Sequence, residues 1–196
     1  MNKKVFNMAV FDILNLFIIN GNTWLHGREI ARQLNKNQRI VQLNLNVLAQ
    51  ARILSFQTAG KSRQYTINLE NPKSNAMLLM TECSKTIKLL KDFEIEQIIK
   101  DIKRITDTPF LVFGSYAKGY VAKDSDIDIL TITNKKISTE KIQAIYTTRI
   151  HLMNISTKTF EKGIKNKDSF PMEVATNHVI CQGYEYILDK WKEIYG

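Results

Sequence analysis

Apolar residues recur at helical spacing from the start of the chain. Phe6, Val10, Ile13 and Phe17 fall near one stripe and predict a helix over 5–19, which Asn20-Gly21-Asn22 stops. A short helix over 27–34 follows, then a turn at Asn35-Lys36-Asn37 and a helix over 38–51 with Val41, Leu45 and Leu48 on its inner face. Two β-like pieces, 53–58 and 63–69, are joined by Ala59-Gly60-Lys61-Ser62. Asn71-Pro72-Lys73-Ser74 is polar, contains proline and marks a boundary. Beyond it, 75–90 reads as one helix with Leu78, Leu79, Cys83, Ile87 and Leu90 as its apolar stripe, and 93–105 as another with Ile95, Ile98, Ile99 and Ile102.

The pattern then changes period. Phe110-Leu111-Val112-Phe113, between Pro109 and Gly114, reads as a buried strand, and Gly114-Ser115 turns the chain with Ser115 placed to cap a short helix through Lys118. Residues 127–132 form a second strand pattern, and 149–155 a third after a helical pattern over 139–147. Ser156-Thr157 is placed to cap a helix over 158–165. Phe170-Pro171 opens an irregular, partly helical stretch, and 184–195 closes the chain as a helix. No internal repeat or low-complexity tract is present.

A 196-residue chain with 44% hydrophobic and 24% charged residues has the composition of a globular protein able to bury a core in each half. The run 11–19 is too short and too interrupted to cross a membrane, so no membrane partner is expected. Cys83 and Cys181 lie far apart without a CxxC spacing, which indicates neither a metal site nor a disulfide and suits a reducing cytoplasm. Charge is unevenly spread. Residues 1–74 hold ten Lys/Arg against three Asp/Glu, whereas 75–196 hold eighteen against sixteen, so the acid-poor N-terminal part has the balance of a phosphate-backbone binder.

The candidate chemistry lies in the strand patterns. Asp126 and Asp128 occupy alternate positions and so share a strand face, roughly 6.6 Å apart along the backbone. Carboxylates in a run otherwise built for burial are costly unless a cation or donor satisfies them. Gly114-Ser115, ten residues, then Asp126-x-Asp128 resembles the signature of the nucleotidyltransferase superfamily related to DNA polymerase β, and within it the minimal nucleotidyltransferases. That resemblance implies a nucleoside triphosphate as substrate or ligand and Mg²⁺ or Mn²⁺ as cofactor. Gly114 would let the backbone approach the phosphates, Ser115 would add a hydroxyl donor, and Lys118 and Lys123 are candidate phosphate contacts. Asp126 and Asp128 would hold the metal, since hard divalent ions favour carboxylate oxygens completed by water and phosphate. In active relatives a third carboxylate projects from the third strand, where this chain aligns His151. Imidazole is a poor Mg²⁺ ligand beside carboxylate, but it suits softer ions and can act as a general base.

Three helices followed by a hairpin resemble a winged helix-turn-helix along the whole of 1–74. The resemblance implies double-stranded DNA as a partner, with Gln38, Arg39, Gln42 and Asn46 on the helix entering the major groove and Lys61 and Arg63 on the wing near phosphate. Such domains usually place glycine after the third helix, where Arg52 here would cost about 1 kcal/mol in a left-handed conformation. The expected fold class is α+β: a winged helix-turn-helix over 1–74, then an α/β nucleotidyltransferase-like domain with a small mixed sheet over 75–196, its first helix (75–91) linking the two. Three functions remain open at this point. One is nucleotide transfer to a hydroxyl acceptor. Another is DNA-binding regulation with a nucleotide-sensing, weakly active domain, and the third is an antitoxin-like role opposite a helical toxin or protein acceptor. The long apolar linking helix serves equally as core or as a homodimer seam.

Overall fold

The structure is a computed structural model that describes residues 8–60, 62–122 and 125–195. It separates into two compact units, one holding the described residues up to Thr81 together with Tyr195, the other Glu82–Ile194. The boundary expected at residue 74 falls inside a helix, α4, which runs unbroken over Pro72–Leu89.

The first unit begins with α1 (Met8–Ile19), a short strand β1 (Leu25–His26), α2 (Gly27–Gln33) and α3 (Gln38–Gln50). A hairpin of β2 (Leu54–Ala59) and β3 (Ser62–Ile67) follows, and the antiparallel sheet has the order β1-β3-β2. Val10, Ile13, Phe17, Ile30, Leu45 and Tyr65 are wholly buried in its core. The amphipathic spacing of α3 explains its seating, since Val41, Leu45 and Leu48 are its buried residues. Asn37 caps α3 by accepting from the Arg39 amide. At the other end Arg52 takes the left-handed conformation at φ 59°. Its carbonyl accepts from Asn71 Nδ2 at 2.7 Å and Asn68 Nδ2 at 3.2 Å, contacts that help offset the cost of a side chain there.

The second unit continues from α4 through α5 (Phe93–Ile105), β4 (Phe110–Phe113), α6 (Gly114–Lys118) and β5 (Ile127–Ile132). Then come α7 (Glu140–Gln143), β6 (Ile150–Ile155), α8 (Thr157–Asn166), α9 (Ser169–Thr176), β7 (Val179–Gln182) and α10 (Tyr184–Tyr195). The sheet is mixed, in the order β6-β5-β4-β7, with β5 and β6 parallel and the other pairs antiparallel. Ile95, Ile98, Ile99 and Ile102 of α5 pack on Phe110, Val112, Ile127, Ile129 and Ile150, the alternate residues of one sheet face. Asp128, His151 and Phe113 therefore belong to the opposite face.

Four local expectations need correction. Ser115 does not cap α6: the cap position is Phe113, with no side-chain cap, and Ser115 lies inside the first turn. The helix over 139–147 shrinks to α7, because Glu94 Oε1 accepts from the amides of Thr147 (2.7 Å) and Thr148 (3.0 Å) and takes them out of any helical ladder. The stretch after Phe170 contains α9 and also β7, a strand whose short run Val179-Ile180-Cys181 carries too little periodicity to read locally. Finally, of the expected stripe α4 fully buries only Leu78. Ile87 is 66% exposed, while Ser74, Met77, Leu78, Thr81, Glu82 and Thr86 are buried.

The polar side of α4 goes inward because its groups find partners. Ser74 Oγ donates to the Ile53 carbonyl and Thr86 Oγ1 to the Ile180 carbonyl at 2.6 Å, with Tyr184 donating to Thr86 Oγ1. Glu82, fully buried, pairs with Lys85 at 2.9 Å and faces His178 Nε2 at 3.3 Å.

Candidate active site

The turn from β4 into α6 carries the first half of the motif. Gly114 has φ +68°, a conformation that L side chains rarely adopt, and a Cβ there would run into Asp128 Oδ2. Glycine at 114 is thus required twice, for its backbone and to let the carboxylate lie against the turn. Asp128 is positioned from both sides by strand pairing. It stands opposite Phe113 in the antiparallel β4·β5 ladder and opposite His151 in the parallel β5·β6 ladder. The ring of Phe113 is held by an edge contact with Phe170, 5.6 Å between centroids.

His151 faces Asp128 directly, with Nδ1 3.0 Å from Asp128 Oδ1. A carboxylate only accepts, so Nδ1 carries the hydrogen and Nε2 is left as the free ring nitrogen. The His151 side chain is 61% exposed against 28% for Asp128, so that nitrogen is open to a bound molecule. The structure thus brings Gly114, Asp128 and His151 together.

Asp126 sits just before β5 and is exposed. It opens onto a cavity of about 590 Å³ whose lining includes Tyr116, Ser125, Thr148 and Arg149. Asp92 and Glu94, at the cap and first turn of α5, line it as well. Asp92 caps α5 through the amides of Glu94 and Ile95. The Thr148 amide and the Thr147 hydroxyl hold the Glu94 carboxyl below its ordinary value of 4.5. Burial, with the charge of Asp92, pushes the Tyr116 hydroxyl up. Among the described residues no group of three or more His, Cys, Asp or Glu side chains is set to hold a metal ion.

Arg149 went unnoticed in the sequence. Its carbonyl accepts from the Ile127 amide at 2.8 Å, which ties the heads of β5 and β6 together, and the residue lines the same cavity as Asp126. The signal was available, since Arg149 and His151 alternate just as Asp126 and Asp128 do. Lys118, a candidate phosphate contact, is instead ion-paired with Glu173 of α9 at 2.7 Å. Lys123 lies outside the described residues.

In the first unit a separate groove of about 810 Å³ gathers Gln38, Gln42, Asn46 and Arg63 and adds Arg28 and Arg32 of α2, which sequence reading passed over although they stand one helical turn apart. Arg39 is exposed on α3 but does not line this groove. Gln42 is half-buried, and its amide donates to Tyr65 Oη at 2.8 Å and to Asn46 Oδ1 at 3.1 Å, so both of its hydrogens are engaged within the fold. The Arg63 guanidinium lies 4.5 Å from the centroid of Phe56, a half-exposed ring. Lys61 lies outside the described residues.

Residues 94–178 match the family model described as nucleotidyltransferase domain, a stretch that begins at Glu94 and spans β4, α6, β5 and β6. The second unit therefore contains a stretch, under half of the chain, that matches nucleotidyltransferase domains. No curated protein and no solved structure gives a significant match to the chain. No helix among the described residues is long and apolar enough to cross a membrane.

Proposed function

We propose that the second unit binds a nucleoside triphosphate with Mg²⁺ or Mn²⁺ and transfers its nucleotidyl group to a hydroxyl acceptor. The observation that carries this reading is the Gly114 turn pressed against the Asp128 carboxylate, within the stretch that matches the nucleotidyltransferase family. A phosphate chain needs close backbone approach, which a glycine at φ +68° favours, beside carboxylates able to share a cation with it. The donor set fits a hard divalent ion: Asp126 and Asp128 offer oxygens only, and water and phosphate would complete the shell. When bound, the ion would neutralise phosphate charge as the leaving group departs. Arg149 adds a positive charge to the lining of the cavity onto which Asp126 opens. Lys118 would reach phosphate only by releasing Glu173, an exposed pair that costs little to break.

We further propose that the first unit is a winged helix-turn-helix that binds double-stranded DNA, with Arg28, Arg32 and Arg63 along the groove and Gln38, Arg39 and Asn46 toward base edges. This reading places the protein in the cytoplasm, where duplex DNA and nucleoside triphosphates occur together. One observation favours a second reading, a DNA-binding regulator that senses nucleotide and transfers it slowly. His151 rather than a carboxylate stands beside Asp128, and it occupies one of that residue's two oxygens.

Calorimetry with each of the four common nucleoside triphosphates, with and without Mg²⁺ or Mn²⁺, tests the first reading. Metal should strengthen binding to the wild type, and Asp128→Asn should abolish that gain. Equal binding by Asp128→Asn and wild type in metal would overturn it.

A further inference from the structure

We propose that Gln42 and Asn46 together read one adenine in the major groove, and that Tyr65 is the positioning residue that sets them for it. The inference rests on the DNA-binding reading of the first unit and deepens it by naming the base. Gln42 and Asn46 stand one turn apart on α3, and both line the groove that also gathers Arg28, Arg32 and Arg63. Gln42 Nε2 donates one hydrogen to Tyr65 Oη at 2.8 Å and the other to Asn46 Oδ1 at 3.1 Å. Tyr65 is wholly buried on β3, so the pair is anchored to the core of the unit rather than to its surface. Among the described residues this leaves Gln42 Oε1, an acceptor, and Asn46 Nδ2, a donor, for a bound molecule. Turning both amides over together exchanges the two roles and again leaves one acceptor and one donor. Gly27 keeps Gln42 Oε1 uncovered. A Cβ there would stand 2.9 Å from that oxygen, and the Gly27 backbone is not left-handed, so the position uses the missing side chain and not conformational freedom.

An acceptor and a donor tied to each other by a hydrogen bond match the edge of a single base. Adenine alone presents a donor, its N6 amino group, beside an acceptor, N7, on its own major-groove edge. Guanine presents two acceptors there and would leave the acceptor of the pair without a donor, which is costly for a group already withdrawn from water. The thymine opposite has a contact as well. Leu43 is 60% exposed, and at about 3.6 residues per turn Asn46 stands between Gln42 and Leu43 around the helix. An apolar surface of the kind a thymine methyl takes therefore borders the amide pair.

The test uses the full chain and duplex DNA. Selection from a random duplex library should return sites that share an adenine, and replacing that A·T pair with G·C should weaken binding about 5- to 150-fold. At the same position 7-deazaadenine removes the N7 acceptor and unsubstituted purine removes the N6 donor. Each should weaken binding there and leave it unchanged at an adenine outside the selected site. These replacements alter only the DNA, so they hold whatever the stability of any variant. In Asn46→Ala one of the two analogues should bind as tightly as adenine. Tyr65→Phe keeps the buried ring and loses only the hydroxyl. It should narrow the preference for A·T over G·C at this position while affinity for an unrelated duplex and its salt dependence stay as in the wild type, a split that a loss of packing would not produce. Duplex binding with no adenine shared among the selected sites, or with both analogues tolerated, overturns the inference and leaves the DNA-binding reading standing. Full discrimination in Tyr65→Phe overturns the role given to Tyr65. Failure to bind any duplex at low salt removes the DNA-binding reading and this inference together.

Discussion

One glycine opens α6 and another follows its end, and the pair offers a controlled perturbation of the site. Gly114 and Gly119 both have left-handed backbones, at φ +68° and +75°. An added Cβ at Gly119 meets nothing within 4 Å, whereas at Gly114 it meets the Asp128 carboxylate. Alanine at either position therefore incurs the same left-handed penalty of about 1–2 kcal/mol. Only at Gly114 must a neighbour also move, which adds about 1–3 kcal/mol as for other overpacked positions. Since Asp128 is held by strand pairing on both sides, the displaced group is its carboxylate, and the contact with His151 changes with it. Urea denaturation should show Gly119→Ala losing about 1–2 kcal/mol and Gly114→Ala about 2–5 kcal/mol. Metal-dependent nucleotide binding, followed by calorimetry on the same samples, should survive in Gly119→Ala and be lost in Gly114→Ala. Equal stability losses, or equal nucleotide affinities in the two variants, would refute the argument that Gly114 exists to seat Asp128.

Two further outcomes follow from the same structure. For duplex DNA, the logarithm of affinity should fall with the logarithm of salt by about 0.9 per neutralised phosphate, and Arg63→Ala should weaken all sequences alike and reduce that slope by about one; a salt-independent signal in filter binding would contradict the groove assignment. Glu82 is held at about 2, because Lys85 and His178 outweigh the burial that pushes it up from 4.5. Its folded value is depressed, so its contribution is fully present above pH 4.5 and is lost as pH falls toward 2. Glu82→Ala should cost about 3–5 kcal/mol near neutrality by leaving the largely buried Lys85 ammonium unpaired. Glu82→Gln should lose less of its remaining stability than the wild type between these pH values, and parallel denaturation midpoints would count against the assignment.

What the chain itself determined is mostly what depends on neighbours in sequence. The isoleucine stripe of α5 is buried at every expected position, Ser156 accepts from the Thr159 amide at the start of α8, and Arg52 adopts the left-handed turn after α3. Periodicity, capping and turn chemistry act over a few residues, so they can be read without the fold. The spacing of Gly114-Ser115 from Asp126 and Asp128 was likewise legible, because a strand, a turn and a strand leave their own pattern.

The tertiary structure decided the rest. Nothing local predicts that α4 buries Glu82 and leaves Ile87 exposed; that orientation depends on the Ile180 carbonyl and His178, roughly a hundred residues further along the chain. The loss of most of the helix after Thr139 depends on Glu94, which is 53 positions from Thr147. The engagement of Gln42 depends on Tyr65 and that of Lys118 on Glu173. Above all, the seating of Asp128 between Gly114 and His151 joins three strand segments, and β-register is a property of pairing rather than of any one strand. The sequence named the groups that could do chemistry. Only the paired sheet determined which of them face each other, because a side chain's hydrogen-bond partner is set by whatever the fold brings within 3 Å.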